Sequence, residues 1–315
     1  MLEKENSKEH LFGVLFGVGA YLLWGILPLY WKLLDAVPAQ EVLAHRIVWC
    51  LVFMFIILFA LGKFKSFIEE VRGILSQRKQ LINILFASFL ISINWFLFIW
   101  AVNNDHVIEV SLGYYINPIV NVILGVLVLK EKLSFWQAVA VLLAFVGVLH
   151  MTFQFGSIPW TALTLAVSFA LYGLCKKVVK VGAMTGLTLE TLFITPFALI
   201  FLVYISRANT SSFTLDSPIL MLLFIGAGIA TAIPLLLFAS AARRISLSLI
   251  GFLQYIGPTI MLFLGIMLFQ EPFTVAHFGS FLFIWIALII FSLAKSKLFL
   301  RLEPKFLQKR KSFQG

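Results

Sequence analysis

Apolar residues along this chain come in ten long runs separated by short polar breaks. The runs occupy about 12–33, 41–61, 81–102, 107–129, 134–151, 157–175, 186–206, 217–240, 245–269 and 274–294. Each is close to the ~20 residues a helix needs to cross the ~30 Å hydrocarbon core of a bilayer. The pattern predicts an all-α integral membrane protein with ten transmembrane helices. Residues 1–11 are left as an N-terminal tail and 295–315 as a basic C-terminal tail. The first run is too long, and its leader (Glu3, Glu5, Glu9) too acidic, for a cleaved signal peptide, so it is expected to remain as a span.

Composition excludes the water-soluble alternative. Hydrophobic residues make up 61% of the 315 and charged residues 12%, about half of the ~25% usual in soluble domains. With a mean hydropathy of +1.02, too few polar side chains remain to cover a soluble surface. Ten spans also consume the length, which leaves no room for a soluble catalytic domain. The two cysteines, Cys50 and Cys175, lie in apolar runs and read as buried small hydrophobes, not as a disulfide or a zinc site.

The net charge of +10 acquires meaning only from its placement. Basic residues fall in the N-terminal tail, between spans 2 and 3, 4 and 5, 6 and 7, and 8 and 9, and in the C-terminal tail. That puts 21 of 24 on one side of the membrane, with Lys32, Arg46 and Arg207 as the exceptions. The positive-inside rule then makes both termini cytoplasmic in a multi-pass cell (inner or cytoplasmic) membrane protein. Orientation and attraction to anionic lipid account for these clusters. They lack the aromatic interleaving of a nucleic-acid groove, so no nucleic-acid partner is expected.

Rare residues recur at fixed spacing. Tyr115, Pro118, Gly125 and Glu131 each match the residue 140 positions later: Tyr255, Pro258, Gly265 and Glu271. Trp24-Gly25 and Tyr172-Gly173 form a weaker pair, 148 apart. The implied unit is five helices, residues 12–151 and 157–294. Five is odd, so the second unit enters from the opposite side and the two form inverted repeats. Such halves can rock about a midplane site, opening it to each side in turn. The matched Pro118 and Pro258 are candidate gating bends, because each removes a backbone hydrogen bond.

Polar groups inside the bilayer are costly and so carry functional information. In the fourth span His106, Glu109, Gly113 and Asn117 fall on one stripe ~80° wide. Asn94 and Trp95 of span 3, Tyr114 and Tyr115 of span 4, and Gln254 and Tyr255 of span 9 lie near mid-membrane. With Gly113 and Asn117 they are the candidate lining of a cavity for a small amphipathic organic substrate. Hydrogen bonding between helices is the competing reading for each amide. His106 and Glu109 are the candidates for proton coupling. Arg46 and Glu190 lie roughly 15 Å apart in level, each near the start of its own span, and are not expected to pair. Arg46 then needs a carboxylate, carbonyls or an anionic substrate group, and Glu190 snorkels or meets Lys176 or Lys177. Glu131 and Glu271, at span ends, read as interfacial helix terminators. No metal-spaced histidines, serine elbow or phosphate loop is present, so neither a cofactor nor an enzyme activity is expected. A passive channel and an intramembrane enzyme are the alternatives to a transporter.

Longer motifs carry a family resemblance. They are Gly19-Ala-Tyr-Leu-Leu-Trp-Gly25, Pro28-Leu-Tyr-Trp-Lys32, Val37-Pro38, Glu41-Val-Leu-Ala-His-Arg46, Asn94-Trp95, Trp100-Ala-Val-Asn103, His106 through Pro118, Thr185 through Thr191, and Gln254 through Thr259. Through them the chain resembles the RarD proteins of the EamA-type division of the drug/metabolite transporter superfamily, almost end to end. The resemblance implies a cell-membrane permease without a defined substrate, and it supplies no binding residues. A secondary transporter moving small organic metabolites or drugs, more often outward, is the resulting expectation. It would work as a monomer or homodimer.

Overall fold

The computed structural model describes residues 2–129, 134–155, 158–178, 181–214, 216–242, 244–245, 253–294, 296 and 299. Its helices are α1 (Leu2–Lys32), α2 (Ala39–Ala60), α3 (Phe64–Leu75), α4 (Arg78–Asn103), α5 (Val107–Leu129) and α6 (Phe135–Phe155). They continue with α7 (Trp160–Val178), α8 (Ala183–Arg207), α9 (Pro218–Ala242), α10 (Ile256–Phe263, prolonged by a π-helical turn Leu264–Leu268) and α11 (Val275–Leu293). Among the described residues, eight of these are long and apolar enough to cross a membrane. Two more, within α7 and α10, are shorter apolar helices, Trp160–Lys176 and Ile256–Leu268. The lipid-facing character is visible on α8, where Phe197, Ile200 and Tyr204 are about 70% exposed along one face. In water such a stripe would be an aggregation surface.

Three boundaries differ from the apolar pattern. Helix α1 begins at Leu2, so the expected tail 1–11 continues the first helix. The connection before α4 contains α3, a helix too short and too charged to register as an apolar run. Its Phe67 and Ile74, seven apart, are buried while Lys65, Glu69, Glu70 and Arg72 face outward. The ninth run does not form one described helix from 245, because α10 starts at Ile256 and residues 246–252 lie outside the described set.

Helix order around the bundle is set by packing. Neighbours run α1, α9, α2, α8, α4, α7, α5, α10 and back to α1, closing a ring of eight. Helices from the first half (α1, α2, α4, α5) alternate with helices from the second (α9, α8, α7, α10). Helices α6 and α11 pack mainly on each other outside the ring. Their apolar windows are only 22% and 28% buried, against 50% for α2, α4 and α5. Small residues allow the ring to close. A Cβ on Gly113 would lie 2.7 Å from the Ala162 carbonyl oxygen of α7, and one on Gly228 of α9 would strike the α2 backbone at Trp49 and Cys50.

One end of the bundle is tied by its loops. Asp105, Asn209 and Gln270 adopt left-handed backbone (φ 59°, 53° and 54°) and turn the chain sharply after α4, α8 and α10. Lys32 at the end of α1 bonds Asp105 at 2.6 Å. Glu41 at the start of α2 accepts from the Ser212 backbone N–H at 2.7 Å and from the Ser211 and Ser212 hydroxyls. At the opposite end the start of α1 meets the end of α9 through Glu9 and Arg244, 2.8 Å apart.

Candidate functional site

Arg46 is the eighth residue of α2, about two turns inside the tied end, and is 3% exposed. Its Nε donates to the Thr231 hydroxyl of α9 at 2.7 Å, and Thr231 in turn donates to the Ala227 carbonyl at 2.8 Å. The guanidinium carbon lies 4.8 Å from the Trp31 ring centre and 4.4 Å from that of Trp95. Nη1 is buried without a hydrogen-bond partner, and among the described residues no carboxylate bonds this side chain. Two indole faces return about 2 kcal/mol or more each when desolvated. Enclosing a lone cation costs several kcal/mol, so the guanidinium is under-compensated.

Beside Arg46 lies a cavity at the centre of the ring, reached by seven of its eight helices. It holds about 60 Å³ of space open to water, well short of the ~300–1,000 Å³ typical of small-molecule sites. Most of that space is narrow clefts between rings, wide enough for water and not yet for a solute. Trp24, Trp95, Phe98, Tyr114 and Phe169 supply aromatic walls, and no lining residue is acidic. Asn94, Trp95, Tyr114, Gln254 and Arg46, all singled out in the sequence, line this space. Asn94 is largely committed: its amide donates to the Leu165 carbonyl at 3.1 Å and the Ser168 hydroxyl at 3.0 Å, and its oxygen accepts from Tyr114.

Four expected lining residues do not reach the cavity. Gly113 and Asn117 face α7, where Asn117 donates to the Ala166 carbonyl at 2.9 Å. The Asn117 oxygen accepts from Asn121 and from Gln254, each at 3.0 Å. Tyr115 and Tyr255 stack on each other, and Tyr115 bonds the Thr259 hydroxyl at 2.6 Å beside the α6–α11 pair. The inner part of the α5 stripe, Gly113 and Asn117, is thus a helix-packing face. Tyr114, turned ~100° from Gly113, points into the ring instead. Trp31, Trp24, Phe169 and Thr231 were missed. Trp24 left a trace in the weak Trp24/Tyr172 recurrence, and Trp31 in the Pro28–Lys32 motif; a single threonine in an apolar run carries no such signal.

Glu190 is the eighth residue of α8 and is 2% exposed. It is held by Lys176, by the Tyr172 hydroxyl at 2.9 Å, and not by Arg46. His106 lies 3.0 Å from Glu109 and stacks on Trp100, with both members of the pair part-exposed and outside the cavity lining. Glu271 corrects the reading of interfacial solvation: it is 7% exposed and accepts from the backbone N–H groups of Val107 and Ile108 at 2.7 and 2.8 Å. A carboxylate there satisfies two orphan donors at the N-terminus of α5 and complements its dipole. Burial still lifts this carboxyl above its ordinary value, the two N–H bonds pulling it partly back. Glu131, its sequence counterpart, lies outside the described residues. Pro118 sits inside α5, but Pro258 occupies the first turn of α10, where no intrahelical bond is lost, and its carbonyl accepts from Ser111 at 2.7 Å.

A central cavity, an under-compensated arginine and a lipid-facing exterior describe a membrane protein that handles a small molecule, and comparison with known proteins names the group. Residues 11–153 match the EamA-like transporter family. An uncharacterized transporter of Bacillus subtilis, YojE, is 47% identical over 90% of this chain and 95% of its own. Protein RarD of Escherichia coli is 43% identical over 91% and 95%. The chain belongs to the RarD-type EamA transporters. One solved crystal structure, 18% identical, superposes with a TM-score of 0.58 over 90% of this chain and 98% of that one, which establishes a shared fold. In this RarD-type transporter, then, the cavity belongs to a multi-pass protein with relatives that are named transporters.

Proposed function

We propose that the chain is a secondary transporter of ten spans, built as two inverted five-helix repeats, that carries small amphipathic organic solutes by alternating access. The observation that supports this most is the ring. If α1, α2, α4, α5 and α6 are exchanged for α7, α8, α9, α10 and α11, every neighbour relation around the ring maps onto another or itself: α1–α9 onto α7–α4, α2–α9 onto α8–α4, and α5–α7 onto α10–α1. The α2–α8, α5–α10 and α6–α11 contacts map onto themselves. Halves related in this way have two nearly equivalent packings around one site, which is what a rocking carrier requires.

The conformation described is tied at the end where Lys32, Glu41 and Glu271 sit. We read that end as extracytoplasmic, because the basic clusters gather at the other, with both termini in the cytoplasm. Export across the cell membrane is the proposed direction. The pair His106 and Glu109, at the tied rim, is the proposed proton-coupling element.

Reconstitution into liposomes tests the reading. Flux of a metabolite mixture, with and without an imposed pH gradient, is expected to reveal solutes that move faster than in empty vesicles and are accelerated by the same solute on the far side. Unsaturable flux with no such exchange would point to a channel. Replacement Glu109→Gln is expected to abolish pH-driven uptake and spare exchange; pH-driven uptake that survives it removes Glu109 from the coupling role.

A further inference from the structure

The cavity carries a chemical bias of its own. Arg46 is the charged residue among those lining it, and its positive charge has no acidic counterpart there. The Nε edge is engaged by Thr231, and two indole faces lie against the guanidinium. What lacks a partner is Nη1, which is buried at the cavity wall without an acceptor. A partner must therefore arrive in the plane of the guanidinium, offering oxygen acceptors and a negative charge. A carboxylate meets all three conditions. The walls beyond are Trp24, Phe98, Tyr114 and Phe169, which suit a flat apolar body. With no Asp or Glu in the lining, an ammonium group would find no counter-charge and would be repelled by Arg46.

We propose that Arg46 is the anion-binding residue of the cavity and that the solute carried is an organic monocarboxylate with an aromatic-sized apolar body. Zwitterionic amino acids and cationic amphiphiles are disfavoured. The proposal deepens the transporter reading and rests on it for the word carried; the binding itself does not.

The experiment uses the full chain in detergent micelles near neutral pH, with binding followed by calorimetry and by tryptophan fluorescence. The probes are phenylacetate, phenylacetamide, 2-phenylethylamine and phenylalanine, which keep one ring and vary the charge. Phenylacetate is expected to bind about tenfold or more tighter than phenylacetamide, the amine and amino acid weaker still. In Arg46→Gln the preference for the anion should vanish while phenylacetamide binding is unchanged. Where Arg46→Gln does not fold, Arg46→Lys decides: it keeps the charge but loses the planar fork, so phenylacetate should weaken several-fold and phenylacetamide should not. Absence of phenylacetate binding at millimolar concentration, equal affinity for acid and amide, or an anion preference untouched by either variant overturns the proposal. Flux of labelled phenylacetate in proteoliposomes separates it from the transporter reading. Arg46-dependent binding without flux defeats transport and leaves the anion site standing. Saturable flux of neutral or cationic solutes with no anion preference does the reverse.

Discussion

Arg46 and Glu190 are each the eighth residue of their helix, α2 and α8, and each is almost fully buried. Their surroundings differ in kind. Glu190 is finished: Lys176 neutralises it and Tyr172 donates to its second oxygen. Arg46 is left with a hydroxyl, two indoles and a nitrogen without an acceptor, in the wall of a cavity. Burial alone therefore does not mark a functional charge. A charge whose partners are all supplied by the fold contributes to stability, whereas one held ready without a counter-ion costs stability and has that capacity to spend on a ligand.

The sharpest way to break this contrast is Arg46→Met. An apolar side chain of similar length removes an unmatched charge, so the thermal midpoint in detergent is expected to hold or rise. Carboxylate flux should fall about a hundredfold, the loss expected when one member of a buried charged contact is deleted. A variant that unfolds instead would make Arg46 a structural residue like Glu190. The reciprocal change, Glu190→Ala, is expected to cost about 2 kcal/mol of stability, read as a lowered unfolding midpoint. That lies below the ~3–5 kcal/mol of a fully buried broken pair, because Lys176 is 35% exposed and keeps some water. Solute preference should not change; a changed preference would bring Glu190 into the site. Smallest is Glu271→Gln, which leaves one good acceptor for two α5 donors and should cost about 1 kcal/mol. It also loosens the tied end, so faster hydrogen exchange at Val107 and Ile108 is the companion readout.

Much of this was readable in the residues, for reasons that also explain what was not. Runs of ~20 apolar residues in lipid admit little besides helices, since unsatisfied backbone groups have no water to turn to. Helix α3 escaped because it spans nothing; its two buried positions, Phe67 and Ile74, make sense only against α2, α4 and α8. Spacing correctly grouped Gly113 and Asn117 on one face but could not tell that face from a cavity wall. Asn117 turned out to answer the Ala166 carbonyl, and Gly113 to admit Ala162. Glu271 looked terminal by its place in the sequence, yet its partners lie 163 and 164 residues away.

The chain alone dictates its solvent and its long apolar helices, because those follow from local composition and from the price of polar groups in hydrocarbon. Tertiary structure decides which polar side chains are consumed in holding helices together and which remain for a ligand. That choice depends on what a neighbouring helix, from 14 to 185 residues away in the sequence, places opposite each one. For Arg46 the neighbour offers Thr231 and no carboxylate, and the proposed anion site rests on that omission.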